Sequence, residues 1–324
     1  MDTVVSDPLN SSVRPRTFSE LENECNYRFE KARDEFGGFW HFYTPGFLNE
    51  MVNVTDEDYD FSFSNFAFSA AEAGVTVVTD SVMGNHIHGL FGCSRKKCFE
   101  FQEGYIYRTS KYLKSIGRNV NLRNFKCDDP IEITDLKMIR NEIVYIHRNR
   151  YVVDSRYTPF SDPWSGGSIY FNPLATSLEG VPFEKISYKE KRRLTFRSDP
   201  NFPGLVVKNG MVLPSSYINY KLGESFFRSA HHYFNHLYKN IEAFSEEANR
   251  LGDQIVLTSE ELYGAAMMLS MRDYHIDQLS LLPPNAKVEI AKKLHFDFNA
   301  SNARIQSILR LPPGTLSSLF PIAI

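Results

Sequence analysis

The triplet His86-Ile87-His88 carries the first chemical signal in the sequence. In a strand, alternate side chains share a face, so the two imidazoles point together while Ile87 turns into the core. Paired imidazoles suit a divalent metal, although the same spacing also fits the plain polar face of a strand. Further along, Tyr145 and Asn149 stand four apart in a helical stretch and project side by side. The apolar stripe of that helix is Leu136, Ile139, Ile143 and Ile146, which leaves Tyr145 on a different side. A phenol can attack phosphorus covalently. A metal held by His86, His88 and Asn149 would polarise a phosphate and offset the charge that develops on it. The nitrogen and oxygen ligand set points to Mg²⁺ or Mn²⁺. Taken singly, one tyrosine of 17 fits a packed aromatic just as well. Glu142, three residues before Tyr145, is a candidate proton acceptor, with a water molecule as the alternative.

These residues need elements to position them. Phe39-Trp40-His41-Phe42-Tyr43-Thr44, closed by Pro45-Gly46, reads as a strand and turn. Thr55 to Gly74 opens on acidic residues and reads as a helix. Val75–Val82 and His86–Gly92 read as a hairpin. A helix is expected over Phe99–Gly117, an extended segment over Val120–Phe125, and a second helix from Ile133 to Asn149. The order β-α-β-β-α-β-α implies an α+β sandwich, an antiparallel sheet with helices on one face. Short strands are expected near Leu205–Val207 and Met211–Leu213. Helices follow over Glu224–Leu251, Ser259–Arg272, Asn285–His295, Ser301–Leu309 and Gly314–Phe320. A short helix around Phe18–Phe36 precedes the sandwich.

The run VTVVTDSVMGNHIHGLF resembles the histidine–hydrophobe–histidine strand of the one-tyrosine single-stranded DNA transposases. It is most similar to the branch associated with repetitive extragenic palindromes. FWHFYTPG, EIVYIHRN and DPWSGG resemble the same branch, in its order, from about Phe39 to Asn172. The resemblance implies a ferredoxin-like catalytic domain, a homodimer, and cleavage of single-stranded DNA at hairpin-marked ends. Cleavage would leave a 5′-phosphotyrosine and release a 3′-hydroxyl. By matching position the nucleophile is Tyr145, and the metal ligands are His86, His88 and Asn149. Three departures stand out: Arg150 where the motif has proline, Gly84 where proline or a small residue is usual, and Trp164-Ser165-Gly166 in place of Trp-Ser-Ser. A single tyrosine separates the chain from two-tyrosine replication proteins, since Tyr151 falls on the wrong face of the helix.

Nucleic acid has a natural contact between Cys93 and Lys126. Nine basic residues stand there against two acids, a local excess of seven positive charges. Arg95, Lys96, Lys97, Arg108, Lys111, Lys114, Arg118 and Arg123 are the candidate phosphate contacts, interleaved with Tyr105, Tyr107 and Tyr112 for base stacking. The last three helices suggest a helix-turn-helix unit that binds duplex DNA or docks subunits. His232 and His236 have the spacing of a zinc-protease pair but lack its glutamate, and read as structural. Cys93 and Cys98 read as ordinary thiols.

Composition bounds the rest. With 324 residues, 23% charged and 42% apolar, the chain is neither disordered nor fibrous. No apolar run is long enough to span a bilayer, and the polar, acidic start does not read as a signal peptide. A cytoplasmic location, with no membrane contact, is expected. A formal net charge of −3 argues against a molecule coated in positive charge. The imbalance is local, with acids gathered at Asp56–Asp60 and Glu242–Asp253. The expected organisation is an N-terminal arm over 1–37 and a catalytic domain over 38–172. An accessory region spans 173–280 and the helix-turn-helix-like unit spans 281–324. Two other readings remain open: a non-catalytic, domesticated DNA-binding regulator, or a metal-dependent phosphohydrolase using the histidine pair without a covalent step.

Overall fold

The computed structural model describes residues 16–45, 50–153, 157–237, 259–296, 300, 302–312 and 314–320. The acidic stretch Glu242–Asp253 and the side chain of Tyr151 lie outside that description.

Helix α1 (Phe18–Phe36) starts at a reciprocal Thr17–Glu20 capping box. Then come β1 (Phe39–Tyr43), α2 (Asp56–Ala73), β2 (Thr76–Val82), β3 (Ile87–Gly92), α3 (Arg95–Ser115), β4 (Ile131–Ile133) and α4 (Leu136–Val153). Helix α2 also has a full capping box, from Thr55 and Asp58, and stops at Gly74 in the left-handed conformation (φ 62°). The four strands run in the order β2-β3-β1-β4, every neighbouring pair antiparallel. With the βαββαβ connectivity, this is the ferredoxin-like arrangement. The fourth strand is Ile131–Ile133, not the expected Val120–Phe125, which forms no strand. Val120 and Leu122 alternate as a strand's would, but Phe125 falls out of phase, and Asn119, Asn121 and Asn124 favour turns.

Alternation along β1 sorts the two layers. Phe42 turns to one face and meets Phe91 and Phe101, at ring separations of 5.6 and 5.2 Å, beneath α2 and α3. Phe39 and His41 turn to the other face, where Phe39 stacks on Phe29 of α1 at 5.7 Å and His41 meets α4. Helices therefore cover the second face as well. Residues 18–36 are part of this packing rather than a loose arm, since Phe29 is fully buried.

Beyond the sandwich come α5 (Pro173–Thr176), α6 (Tyr188–Thr195), α7 (Tyr220–Ser225), α8 (Ala230–Leu237), α9 (Ser259–Tyr274), α10 (Pro284–Phe296), α11 (Asn302–Leu309) and α12 (Thr315–Leu319). The helix expected over Glu224–Leu251 is broken between Ser225 and Ala230, and its part over 238–251 lies outside the described residues. A small sheet, β5 (Val181–Pro182), β6 (Val206–Lys208) and β7 (Met211–Val212), packs with Phe183, Leu194 and Phe202 on Ala67 and Phe68 of α2. Helices α8 and α9 pack on α4, and α10 and α11 pack on α9. This explains why α4 is buried on every side from Glu142 to Arg150, with Arg140, Glu142, His147, Arg148 and Asn149 under cover beside the expected apolar stripe. One hydrophobic cluster runs from Cys25 through the sheet to Phe320.

Candidate metal and tyrosine site

Register brings the site together. His88 of β3 lies opposite Tyr43 of β1, so the two share a face, and His41 shares it by alternation. The three rings lie nearly parallel: His41 and His88 are 5.4 Å apart at 9°, and His41 and Tyr43 are 5.3 Å apart at 23°. His86, just before β3, presents its ring edge-on to His88 at 5.1 Å. The expected pairing of the two imidazoles on one side is therefore observed. From α4, Tyr145 sets its ring against His88 at 5.6 Å and against His41 at 6.1 Å, both edge-to-face. Asn149 follows one helical turn later.

All four expected site residues are buried: His86 and Tyr145 are 2% exposed, His88 and Asn149 0%. Burial holds His86 down at about 4. His88 also lies well below the ordinary imidazole value, from burial first and then from the neighbouring His86 and His41. Both rings are neutral at pH 7, the form that can ligate a metal.

Hydrogen bonds select which ring nitrogen each histidine offers. Asn85 Oδ1 lies 2.8 Å from His86 Nδ1 and accepts its proton, which leaves a lone pair on Nε2. Glu142 Oε2 lies 3.2 Å from His41 Nδ1, and His41 Nε2 lies 3.1 Å from His88 Nδ1. A carboxylate at ion-pair distance favours the proton on His41 Nδ1, which leaves His41 Nε2 as acceptor, so His88 donates from Nδ1 and its lone pair also falls on Nε2. His41 and Glu142 thus order His88 as carboxylate–histidine pairs order metal ligands. Glu142, expected at the Tyr145 proton, sets its carboxylate beside His41 Nδ1. The role of His41 escaped the sequence reading; its only signal was a polar residue in the middle of an aromatic strand.

The candidate donors are two borderline imidazole nitrogens and one hard amide oxygen. His86 Nε2 and both amide atoms of Asn149 are buried without a hydrogen-bond partner. Such an atom costs about 1–3 kcal/mol when left unmatched, so the lone pairs of His86 Nε2 and Asn149 Oδ1 are in a condition to take a ligand. Among the described residues there is no cluster of three or more His, Cys, Asp or Glu able to hold a metal. The candidate set is instead two imidazoles and an amide.

The segment after α4 explains two departures from the motif. Arg150 prolongs α4 where a proline would stop it, and is 7% exposed. Its guanidinium lies 4.4 Å from the Tyr59 ring, 4.6 Å from Tyr157 and 4.8 Å from Trp164, a cation–π enclosure that fixes the tryptophan segment. Trp164 Nε1 also donates to Asp60 at 2.8 Å. That segment seals the edge of β2: Val82 N donates to Trp164 O at 3.0 Å, and Ser81 pairs with Ser165. A Cβ on Gly166 would run into Thr79 Oγ1, and one on Gly167 would sit 2.6 Å from Pro159 O and 3.0 Å from His147 Cγ. Thr79 Oγ1 is itself bonded to His147 Nε2 at 2.6 Å. Glycine, not serine, fits that contact.

The expected phosphate contacts divide into spent and unspent charges. Arg108 is fully buried and paired with Glu72, so it leaves the set: its charge holds α3 to α2. Arg118 bonds Asp58 at 2.7 Å and Met51 O at 2.8 Å. Arg95 pairs with Asp129 at 2.6 Å, Lys96 with Glu100 at 3.0 Å, and Lys97 donates to Gly74 O at 2.8 Å. Lys111, Lys114 and Arg123 are exposed. Tyr105 is buried, and Tyr112 stacks on Phe61 and donates to Asp58, so neither offers its ring to bases. Tyr107 is 41% exposed. Spacing along a helix cannot reveal this division, because neighbours in sequence face different sides.

Two other groups keep their structural readings. His232 and His236 face each other at 3.0 Å between Nε2 atoms. Cys93 and Cys98 are buried free thiols 3.7 Å apart. Among the described residues no helix is long and apolar enough to cross a membrane. No protein-family model, curated protein or solved structure matches this chain.

Proposed function

We propose that this chain is a metal-dependent single-stranded DNA transposase of the one-tyrosine type, which cuts and rejoins DNA through a 5′-phosphotyrosine at hairpin-marked ends. The observation that carries the reading is the convergence of His86, His88 and the Tyr145 ring on one sheet face, with His86 Nε2 and the Asn149 amide unspent. His86, His88 and Asn149 would hold Mg²⁺ or Mn²⁺, which when bound supplies charge to the scissile phosphate. Tyr145 Oη attacks phosphorus, and a new P–O bond forms to the phenol oxygen, which gives up its proton. The bond from phosphorus to the leaving 3′-oxygen breaks, and that oxygen takes a proton to become the 3′-hydroxyl. Rejoining is the reverse attack by a 3′-hydroxyl on the phosphotyrosine. His41 and Glu142 hold the His88 ring in the tautomer this requires. Lys111, Lys114 and Arg123, exposed and in no ion pair among the described residues, supply the backbone contacts. The working form is a homodimer in the cytoplasm.

One observation favours the second reading, a non-catalytic DNA-binding regulator. The four site residues are at most 2% exposed, so a strand reaches them only when the cover over α4 opens. Incubation with a single-stranded hairpin oligonucleotide and Mn²⁺, followed by a denaturing gel, separates the readings. A covalent protein–DNA adduct that disappears with Tyr145→Phe supports the transposase. Binding without cleavage supports the regulator, and cleavage without adduct supports a phosphohydrolase. An adduct that persists in Tyr145→Phe removes Tyr145 as nucleophile.

A further inference from the structure

Helix α6 has a sidedness that its composition hides. Between Phe183 and Ser198 stand six basic residues and two acids. Leu194 and Thr195 are buried, with Leu194 packed in the cluster beside α2. The exposed side carries Tyr188, Lys189, Arg192 and Arg193. Across from it stands Tyr107 of α3, and between them lies a groove of about 680 Å³. Its charged lining is Lys189, Arg192, Arg193 and Arg197, with no carboxylate among the lining residues.

The two tyrosines are held in place by cations. Arg197 lies 5.1 Å from the Tyr107 ring and is itself fixed by Glu72 through bonds of 3.2 and 3.1 Å. Lys111 approaches the same ring at 5.5 Å. Arg192 lies 5.7 Å from the Tyr188 ring, whose hydroxyl donates to Ser198 O at 2.7 Å. Tyr188 is nonetheless 58% exposed and Tyr107 41%. Lys189, Arg192 and Arg193 make no ion pair with a carboxylate among the described residues. Desolvating such charges against phosphate sacrifices no internal pair, unlike Arg108 or Arg118.

We infer that this groove binds single-stranded DNA, with Lys189, Arg192 and Arg193 on the phosphates and Tyr107 and Tyr188 stacking on bases. Unpaired cations that track a backbone, beside exposed aromatic rings, are the recognition chemistry of single strands. The inference rests on the reading of the histidine–tyrosine site as one that acts on DNA. It adds a contact on the opposite face of the sheet, since α6 packs on α2 while the histidines face α4. A strand engaged at both places must pass around the sheet. The groove therefore adds affinity for long strands and leaves the covalent step on short ones unchanged.

Fluorescence anisotropy with oligothymidine of about 30 nucleotides tests this, a length beyond a single site of about 4–16 nucleotides. Arg192→Gln with Arg193→Gln should lower the slope of log affinity against log salt by roughly 1.4, about 0.7 for each lost phosphate contact. Tyr188→Ala and Tyr107→Ala should each weaken binding about tenfold, within the range for one stacked base. All four side chains are exposed, and thermal melts matching the wild type confirm folding. Unchanged affinity and salt slope in the arginine variant would overturn the inference. So would equal losses on single-stranded and duplex DNA with no effect of the tyrosines, which describe a general polyanion surface. Displacement of DNA by an acidic peptide at lower concentration than by unlabelled oligothymidine would assign the groove to a protein instead. If the wild type forms no adduct while the groove variants still lose affinity, the transposase reading fails and the groove stands. If a short hairpin gives the adduct and the variants bind normally, the groove fails and the transposase reading stands.

Discussion

The two faces of the sheet treat polar side chains in opposite ways. On the α4 face, His41, His86, His88, Glu142 and Asn149 are buried, and the bonds His41–His88 and His86–Asn85, with the Glu142 carboxylate beside His41, fix ring orientation and tautomer. On the α2 and α3 face, Lys111, Lys189, Arg192 and Arg193 stand in solvent over rings that are also exposed. Chemistry at phosphorus needs fixed, dehydrated groups, because preorganised dipoles act strongly where water is excluded. Grip on a polyanion needs mobile surface charge, whose contribution comes from counterion release. The comparison teaches that burial, more than residue type, separates groups suited to reaction from groups suited to binding.

The largest test of that division is at the buried face. Tyr145→Phe should abolish the covalent adduct while leaving Mn²⁺ affinity unchanged by isothermal titration; retained adduct would break the assignment. His86→Ala or His88→Ala should remove both measurable Mn²⁺ binding and adduct. His41→Ala should act less severely, weakening Mn²⁺ binding by about 10–100-fold, as loss of a group that orients a ligand does. An unchanged affinity there would dismiss the tautomer relay while keeping the ligands.

The smallest effect is one of stability, read at a buried carboxyl that belongs to neither set. Asp80 of β2 is pushed up to about 8, by burial first, partly offset by the Tyr217 hydroxyl bonded to it at 2.5 Å. Its carboxyl binds its proton more tightly folded than unfolded, where the ordinary value is 3.8. That contribution to stability is complete below 3.8 and is lost as the pH rises through 8. Asp80→Asn keeps the shape without the titration. Its melting temperature should therefore gain on the wild type as pH is raised from about 5 to about 9, and parallel profiles would contradict the assignment.

Much of this was legible from local pattern. The start of α2 at Thr55, the hairpin that ends in His86–Gly92, and the core stripe of α4 follow from propensity and periodicity. The strand expected at Val120–Phe125 was not, because Ile131–Ile133 pairs with β1 through long-range register that a three-residue segment does not announce. The basic segment was legible as charge but not as surface. Arg108 and Arg118 reach Glu72 and Asp58, residues 36 and 60 positions away, and only folding places those carboxylates beside them.

By itself the sequence determined the βαββα order as far as α3, the shared side of His86 and His88, and the spacing of Tyr145 and Asn149, since each depends on the period of one element. The tertiary structure alone decided that His41 and Glu142 would orient His88, that Gly166 and Gly167 would fit against Thr79 and His147, and that the unpaired cations would lie on α6. These depend on which elements become neighbours. Contacts between distant segments are set by the packing of whole faces, and no local period encodes them.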